Sequence, residues 1–455
     1  MGREPEDGPA RPQAGTEPAL VATLQALVRI ATVSWPDESA IDGAAFEAFH
    51  DELARQFPLL HAGLERTRVG THGLLFRWPG TSADRPVVLM AHQDVVPVDE
   101  SAPWQHPPFG AELHDGAVWG RGTLDDKASL AGICAAVESL LADGFMPAQD
   151  VWLSFGAREE VSGPDAGLAA GLLAERGVTP WFVLDEGGAV AHEAFPGIDP
   201  PLGVIGVTEK GTTTVELVAE GRGGHSSTPA PGGPTARIAR AVARLERRQL
   251  RPRLPEPTVR MFERLAPHAP AGMSLLFRHA RRLRPVLARA LLATGPEAAA
   301  LARTTMTVTT LQGSPAHNVI ASRASAGVNL RIMVGDSVDS VVAHIRRAID
   351  DVSIRLDVVD ANEPSPVSPS DGPAYDLLAG TIEQVFPDAV VTPYVMMAAT
   401  DARFFAAICP RVYRFTPFRM TRAQRESIHS YDEHLGVDDF MAAVAWYRRL
   451  LEDLR

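Results

Sequence analysis

Acidic and histidine side chains occur at five places where a predicted strand runs into a loop. They are His92 and Asp94 in AHQDVVPV, Asp125 and Asp126 in GRGTLDDK, Glu159 and Glu160 in SFGAREEVSG, Asp185 and Glu186 in FVLDEGG, and His429 in SIHSYDEH. Imidazole and carboxylate ligands in this mixture suit zinc or a similar divalent ion, and the set is larger than one metal needs. The sequence therefore predicts two metals and a general base.

Two metals about 3.5–4 Å apart need one carboxylate that contacts both, because an anionic bridge offsets the repulsion between two cations. Asp125 can form this bridge. His92 and Asp185 can complete one metal position, and Glu160 and His429 the other.

Two further carboxylates lie beside predicted ligands. Asp94 is two residues from His92, so on a strand both side chains lie on one face, where Asp94 can accept the free imidazole N–H. Glu159 is next to a ligand but points away from it, which leaves it as the general base. Each fragment alone is more often a polar strand end or a solvated charge pair, so the prediction depends on their joint occurrence in this order.

The ordered set resembles the M20 metallopeptidase family, and most of all its carboxypeptidase S branch, which includes N-fatty-acyl-amino-acid synthase/hydrolases. The phrases VLMAHQDVVPV, WQHPPFGAELHDGAVWGRGTLDDK, LDEGG and IHSYDEH carry the resemblance, which runs from about Leu20 to the C-terminus. The resemblance implies two Zn²⁺ per chain, with Co²⁺ or Mn²⁺ as possible substitutes. It also implies a cis peptide from Asp125 to Asp126, Glu159 as the base, and Asp94 as the carboxylate behind a metal ligand.

A histidine in a glycine-rich loop, His225 in GRGGHSSTP, is by itself most often a solvated turn residue. In the resembled family the matching histidine reaches the active site of the other subunit and stabilises the tetrahedral oxyanion, a role that suits an N–H donor. The resemblance therefore implies a homodimer in which His225 acts in trans.

Polar residues elsewhere are candidates for binding a substrate carboxylate. An arginine binds both carboxylate oxygens at once, yet Arg331 and Arg403 are equally well explained as partners in surface or interface ion pairs. The resemblance favours substrate contacts for Asn318, Arg331 and Thr400.

The composition is ordinary for a globular protein, with 45% hydrophobic and 22% charged residues in a chain of 455. The net charge of −13 argues against a nucleic-acid partner and an anionic membrane surface. GRGTLDDK lacks the spacing of a phosphate-binding loop, which opposes nucleotide binding.

Two cysteines, Cys134 and Cys409, are too few for a disulfide scaffold and suit a reducing compartment. We expect both to be buried as small apolar residues. Residues 1–17 are polar and rich in Pro and Gly, so we expect a disordered lead-in and no signal peptide. No apolar run is long enough to span a membrane. These features predict a cytoplasmic protein.

Strands alternate with helices in the first part of the chain, which predicts an α/β sheet whose site lies at the carboxyl ends of its strands. After about Gly206, four strands and two helices follow in β-α-β-β-α-β order, typical of a ferredoxin-like arrangement. The sequence thus predicts a discontinuous, phosphorylase/hydrolase-like α/β zinc-peptidase domain (18–205 and 363–455) with an inserted ferredoxin-like α+β lid and dimerisation domain (206–362). Within the insert, residues 254–301 are an extra helical segment that either lines an acyl channel or thickens the dimer domain.

The predicted activity is hydrolysis of an amide bond next to a free carboxylate, with Glu159 activating a metal-bridging water. The enzyme would be a carboxypeptidase, a dipeptidase or an N-acyl-amino-acid amidohydrolase. One alternative is an N-fatty-acyl-amino-acid synthase/hydrolase that works in both directions. Another is a catalytically silent, metal-binding dimeric scaffold, which a broken ligand or base would favour, but none is broken here.

Overall fold

The structure is a computed structural model that describes residues 15–99 and 101–454. It divides into two compact units. Unit 1 contains residues 15–205, 369–392 and 400–454, and unit 2 contains residues 206–368 and 393–399. The domain limits expected from the sequence stay a prediction, and most of the predicted lead-in lies outside the described residues.

The helices have the following bounds. They are α1 (Glu17–Val28), α2 (Gly43–Gln56), α3 (Pro58–Gly63), α4 (Lys127–Ala142), α5 (Asp165–Glu175), α6 (Pro234–Arg247), α7 (Glu256–Leu265), α8 (Ala271–Arg278), α9 (Arg284–Thr294), α10 (Pro296–Ala300), α11 (Val338–Ile349), α12 (Pro373–Val385), α13 (Ala402–Phe405), α14 (Arg422–Ser427) and α15 (Val437–Glu452). Short 3₁₀ helices span Glu38–Ala40, Glu159–Val161 and Ala266–His268.

The strands are shorter on average than the helices. They are β1 (Glu65–Val69), β2 (Gly73–Trp78), β3 (Ser82–His92), β4 (Glu112–His114), β5 (Ala117–Trp119), β6 (Gln149–Gly156), β7 (Phe182–Asp185), β8 (Ala189–Ala191), β9 (Leu202–Glu209), β10 (Gly211–Glu220), β11 (Gly224–His225), β12 (Thr305–Gln312), β13 (Val319–Ile320), β14 (Arg323–Ile332), β15 (Arg355–Ala361), β16 (Val390–Met396), β17 (Val412–Arg414), β18 (Arg419–Met420) and β19 (His434–Gly436).

The main sheet of unit 1 has the strand order β1-β2-β6-β3-β7-β17-β9-β8-β18. Its centre is parallel, since β3 pairs with β6 and β7, and β7 with β17. Residues 86–92 of β3 and all of β6 are buried, as expected for strands covered on both faces. The parallel strands β3, β6 and β7 end at or near His92, Glu159 and Asp185. Their carboxyl ends therefore bring these predicted ligands and the predicted base to the same edge of the sheet.

A second, three-stranded sheet in unit 1 has the order β19-β5-β4. It pairs the segment that follows His429 with the segment that precedes Asp125, in the register His434↔Trp119. The sequence patterns did not predict these strands, each of which has three residues.

Unit 2 contains a four-stranded antiparallel sheet in the order β12-β14-β10-β15, with α6 and α11 packed on one face. On β14, alternate apolar residues from Ala324 to Ile332 are buried against these helices. The predicted β-α-β-β-α-β order and the α/β fold with an α+β lid unit are thereby confirmed. The predicted extra helical segment is present as α7 to α10.

Both cysteines are free and buried, as expected. Among the residues that the structure describes, no helix combines the length and the apolar character needed to cross a membrane.

Candidate metal centre

His92 is the last residue of β3, and both of its ring nitrogens have partners. Nδ1 lies 2.9 Å from the carbonyl oxygen of Asp94. Because a carbonyl only accepts, Nδ1 carries the proton and Nε2 is directed to Asp125 Oδ1, 2.8 Å away. The sequence predicts that the carboxylate of Asp94 accepts the imidazole N–H. The nearer Asp94 atom is instead its carbonyl oxygen, and the carboxylate Oδ1 lies at 3.4 Å, so the role of Asp94 stays a prediction.

The two carboxylate oxygens of Asp125 face two different histidines. Oδ1 lies 2.8 Å from His92 Nε2, and Oδ2 lies 3.0 Å from His429 Nε2. His429 Nε2 is also 2.9 Å from Glu160 Oε2. The peptide bond from Asp125 to Asp126 is cis, as the family resemblance implied. Three predicted ligands, His92, Glu160 and His429, thus lie around the carboxylate of a fourth, Asp125.

Asp94 holds the segment that carries both glutamates. Its carboxylate accepts the N–H of Glu159 at 3.1 Å and the N–H of Glu160 at 3.2 Å, which are the first residues of a 3₁₀ helix. The hydroxyl of Ser34 donates to the same carboxylate at 2.6 Å. Backbone N–H groups at the start of a helix need acceptors. By accepting two of them, Asp94 fixes where the 3₁₀ helix with Glu159 and Glu160 begins. Ser34 was not among the residues singled out from the sequence.

The candidate metal centre brings several carboxyl groups together in a buried environment. Burial and the neighbouring carboxylates raise the pKa of Glu159, although His92 lowers it, and the net value is well above the usual one. Burial likewise raises the pKa of Glu186 and Asp126 well above the usual range. The hydrogen bonds with Asp125 and Glu160 raise the pKa of His429 to about 10. Such a cluster is stabilised by cations.

The donor set fits divalent metal ions. Two buried carboxylate oxygens, Glu160 Oε1 and Asp126 Oδ1, have no hydrogen-bond partner among the described residues. Two groups of three side chains, within the described part of the chain, have ligand atoms all within 4.8 Å of one another. They are His92, Asp125 and Glu160, and His92, Asp126 and Glu186. Buried carboxylates are satisfied by pairing or by coordinating metals.

Neighbouring acidic residues at the end of β7 point in different directions. Asp185 Oδ2 accepts the N–H of Ala402 at 2.8 Å. Glu186 Oε1 lies 3.7 Å from His92 Nε2. Asp185 is the metal ligand predicted from the sequence, and that assignment stays a prediction. The geometry favours Glu186 as the ligand beside His92, a role that the sequence analysis did not give it. Side chains alternate along a strand, which indicates that only one of the two points to His92, but not which one.

The predicted substrate residues are divided between the units. In unit 2, His225 and Asn318 are neighbours, since the N–H of Ser226 donates to the carbonyl of Asn318 at 3.1 Å. Both are exposed, and Ser227 Oγ lies 2.8 Å from His225 Nδ1. Arg331 lies on β14 of the same unit, and burial lowers the pKa of its guanidinium. In unit 1, Thr400 is buried just before α13. The roles of these four residues stay predictions.

Comparisons with known proteins agree with the geometry. A family model described as peptidase family M20/M25/M40 matches residues 88–453. The probable carboxypeptidase S-like 2 of Dictyostelium discoideum is 32% identical over 441 residues, covering 95% of this chain and 85% of that protein. The human N-fatty-acyl-amino acid synthase/hydrolase PM20D1 is 32% identical over 442 residues, covering 96% and 88%.

Solved structures share the fold. The M20 family metallo-carboxypeptidase Sso-CP2 from Sulfolobus solfataricus has a TM-score of 0.68 at 17% identity, covering 95% of this chain and 98% of that one. Human carnosine dipeptidase 1 has a TM-score of 0.66 at 16% identity, covering 96% and 95%. At 16–17% sequence identity, this similarity shows a shared fold.

Proposed function

The chain belongs to the M20 peptidase family and is therefore a metal-dependent hydrolase of the metallopeptidase and amidohydrolase class, and we propose that it is a di-zinc enzyme that cleaves an amide bond next to a free carboxylate. The observation that carries the proposal is the position of Asp125, whose two oxygens face His92 and His429. A carboxylate between two imidazoles suits a bridge between two metals.

Zinc at these positions would be held by His92, Asp125 and Glu186 (or Asp185) on one side and by Asp125, Glu160 and His429 on the other. When bound, zinc supplies Lewis-acid polarisation of the substrate carbonyl and lowers the pKa of water. The chemistry of the donor set, all imidazole and carboxylate, supports zinc, with Co²⁺ or Mn²⁺ as substitutes.

Glu159 is the proposed general base. It takes a proton from the attacking water as the new C–O bond forms, and returns it to the amide nitrogen as the C–N bond breaks. Burial raises the pKa of Glu159, which suits a carboxyl that must carry a proton between these steps. Asp94 holds the backbone of Glu159 and so positions this base.

The remaining roles involve unit 2. We propose that His225 of one subunit donates an N–H to the developing oxyanion in the partner subunit, which requires a homodimer. Arg331, Asn318 and Thr400 are the proposed contacts of the substrate carboxylate, for which a guanidinium is suited. We also propose a cytoplasmic location, because the low cysteine content suits a reducing compartment.

A second candidate is a reversible N-fatty-acyl-amino-acid synthase/hydrolase. It is favoured by the name of the human relative, which is similar over nearly the whole chain. In the synthetic direction a fatty acid and an amino acid condense and release water, so the same base and acid steps run in reverse. In this candidate, helices α7 to α10 line a channel for the acyl chain. The alternative is that these helices only thicken the dimerisation domain.

Two measurements test the proposal. Metal analysis after gentle purification should find close to two zinc ions per chain, and a content that stays at zero after zinc addition would contradict it. Release of amino acids from N-acetyl, N-lauroyl and N-oleoyl amino acids and from dipeptides then identifies the substrate class. A zinc-loaded protein that hydrolyses none of these compounds would favour the silent scaffold.

A further inference from the structure

A buried carboxylate outside the ligand set, that of Glu433, joins two distant parts of unit 1. Its Oε1 accepts the N–H groups of Gly122, Leu124 and Asp125 at 3.0, 2.7 and 3.2 Å. Its side chain is inaccessible to solvent. Convergent N–H groups of one loop form a site for an anion, and here the chain fills it with its own carboxylate.

The other oxygen of this carboxylate is paired with Arg121. Arg121 Nη1 donates to Glu433 Oε2 at 2.6 Å, and Nη2 donates to the carbonyl of Ser430 at 2.5 Å. The backbone adds a further bond, from the N–H of Gly120 to the carbonyl of Glu433 at 2.8 Å. The guanidinium therefore contacts both ends of the segment that follows His429.

That segment has an unfavourable backbone conformation. His429 and Asp432 have φ angles of 62° and 61°, in the left-handed region that side chains other than glycine adopt at a cost. Such conformations persist when surrounding contacts hold them. Here the contacts are those of Arg121 with Ser430 and those of Gln105, whose N–H and side-chain amide donate to Asp432 at 2.7 and 2.9 Å.

Together these contacts connect the loop of Asp125 with the loop of His429. The N–H of Asp125 is itself one of the donors to Glu433, so the carboxylate of Glu433 orients the residue whose Oδ2 lies 3.0 Å from His429. The carbonyl of Ser430, which follows His429, is held by the same ion pair. A change in the pair would shift both ligands at once.

We propose that Glu433 and Arg121 are positioning residues that set the affinity of the metal position formed by Asp125, Glu160 and His429. The inference rests on the metal-binding part of the proposed function. It assigns to the pair a role in metal binding in addition to its contribution to the fold. Partners of metal ligands typically change metal affinity about 10- to 100-fold when they are removed.

The test is zinc affinity of the metal-free protein, measured by competition with a chromophoric chelator. Glu433→Gln keeps the shape but loses the charge that faces Arg121. We expect zinc binding at the position of Asp125, Glu160 and His429 to fall about 10- to 100-fold. Asp150→Asn is the matched control. Asp150 is also buried, accepts from Arg77 Nε at 2.9 Å and from the N–H of Gly80 at 2.9 Å, and belongs to the same unit. It should lose thermal stability with zinc affinity unchanged.

Two Arg121 variants keep the test decisive if Glu433→Gln does not fold. Arg121→Lys keeps a cation beside Glu433 and should lose less zinc affinity than Arg121→Gln. Folded Glu433→Gln or Arg121→Gln protein that binds zinc as tightly as the wild type would overturn the inference while leaving the proposed function intact. An equal loss in Asp150→Asn would overturn it as well, because the effect would then be one of general stability. Wild-type protein that binds no zinc would overturn both.

Discussion

Adjacent glutamates at the start of one 3₁₀ helix have different surroundings. Burial raises the pKa of both carboxyls, but Glu160 Oε2 lies 2.9 Å from His429 Nε2, and this hydrogen bond lowers the pKa of Glu160. Both N–H groups are held by Asp94. The carboxylate of Asp94 thus positions both a proposed ligand and a proposed base.

Glu159→Gln should keep its metal and lose turnover by roughly 10²- to 10⁴-fold, because the amide has the same shape but does not accept a proton from water. Zinc content and kcat, measured on the same preparation, check this. Asp125→Ala is the contrast, and it should lose metal. Normal turnover in Glu159→Gln would show that the base is another residue.

Glu186→Gln should weaken zinc binding by at least about 10-fold, since Glu186 Oε1 lies 3.7 Å from His92 Nε2. Asp185→Asn should instead lower stability, because Asp185 Oδ2 accepts the N–H of Ala402. Chelator competition and thermal unfolding of both variants separate the two effects. If Asp185→Asn has the larger effect on zinc, the assignment of Asp185 from the sequence is the better one.

The sequence indicated which residues gather at the site, because His92, Asp125, Glu160 and His429 have ligand chemistry at the ends of predicted elements. It could not indicate which of two adjacent carboxylates faces inward, since that depends on the exact end of β7. The contacts of Glu433 were also not predictable from the sequence. Its importance comes from three backbone N–H groups that are distant in sequence, and backbone groups leave no mark on residue type.

At the scale of elements, backbone atoms approach so closely in the sheet of unit 1 that one position next to the site has no room for a side chain. A Cβ on Gly188 would lie 2.1 Å from the carbonyl oxygen of Val204 and 2.6 Å from that of Arg414. Both of these neighbours are backbone atoms, which have little room to move. The segment between β7 and β8 therefore needs glycine for steric reasons.

Gly188→Ala should destabilise the protein by about 2–4 kcal/mol, since it forces neighbouring backbone apart. Gly171→Ala is the control, because Gly171 is exposed in α5 with nothing near its Cβ position. It should gain about 0.5–1 kcal/mol from better helix propensity. Chemical denaturation of the two variants gives the comparison, and equal effects would contradict the steric argument.

Elements with a strong apolar period were predictable from the sequence. The alternation on β10 and the helical patterns of α6 and α11 predicted the unit 2 sheet and its helices, and the structure has them in that order. The sheet of β19, β5 and β4 was not predictable, because three residues are too few to establish a period. That sheet depends on pairing between segments far apart in the chain.

At the scale of the whole molecule, stability should depend on the buried carboxyl of Asp165. Burial raises its pKa to about 6, although the N–H of Ala157 lowers it. Because the folded value is above the unfolded one of 3.8, the folded state holds the proton more tightly, and stability falls as pH rises from about 4 to 6.

Asp165→Asn should remove this loss. Its free energy of unfolding relative to wild type should increase between pH 4 and pH 7 by at most about 3 kcal/mol. Denaturant titrations at several pH values test it, with Asp84→Asn, an exposed carboxyl in unit 1, as the control for removal of one charge. A difference that is constant with pH would contradict the role of Asp165.

The proposed shared site predicts complementation between inactive variants. His225→Ala and Glu159→Gln chains, mixed and allowed to exchange subunits, should regain part of the activity, because one site in each heterodimer has both wild-type groups. At most one site per heterodimer works, so the recovered activity cannot exceed half of wild type. Confirmed heterodimers without activity, or a fully active His225→Ala protein, would remove His225 from the mechanism.

The candidate metal centre draws its proposed ligands from both sides of unit 2 in the chain, since His92, Asp125 and Glu160 precede that unit and His429 follows it. On the ribosome, the early ligands therefore emerge well before the last one. A growing chain holds an incomplete centre until the whole of unit 2 has been translated. The order of synthesis thus delays the onset of the proposed amide hydrolysis until the lid unit is already present, and a chain released too early lacks the second of the proposed histidine ligands.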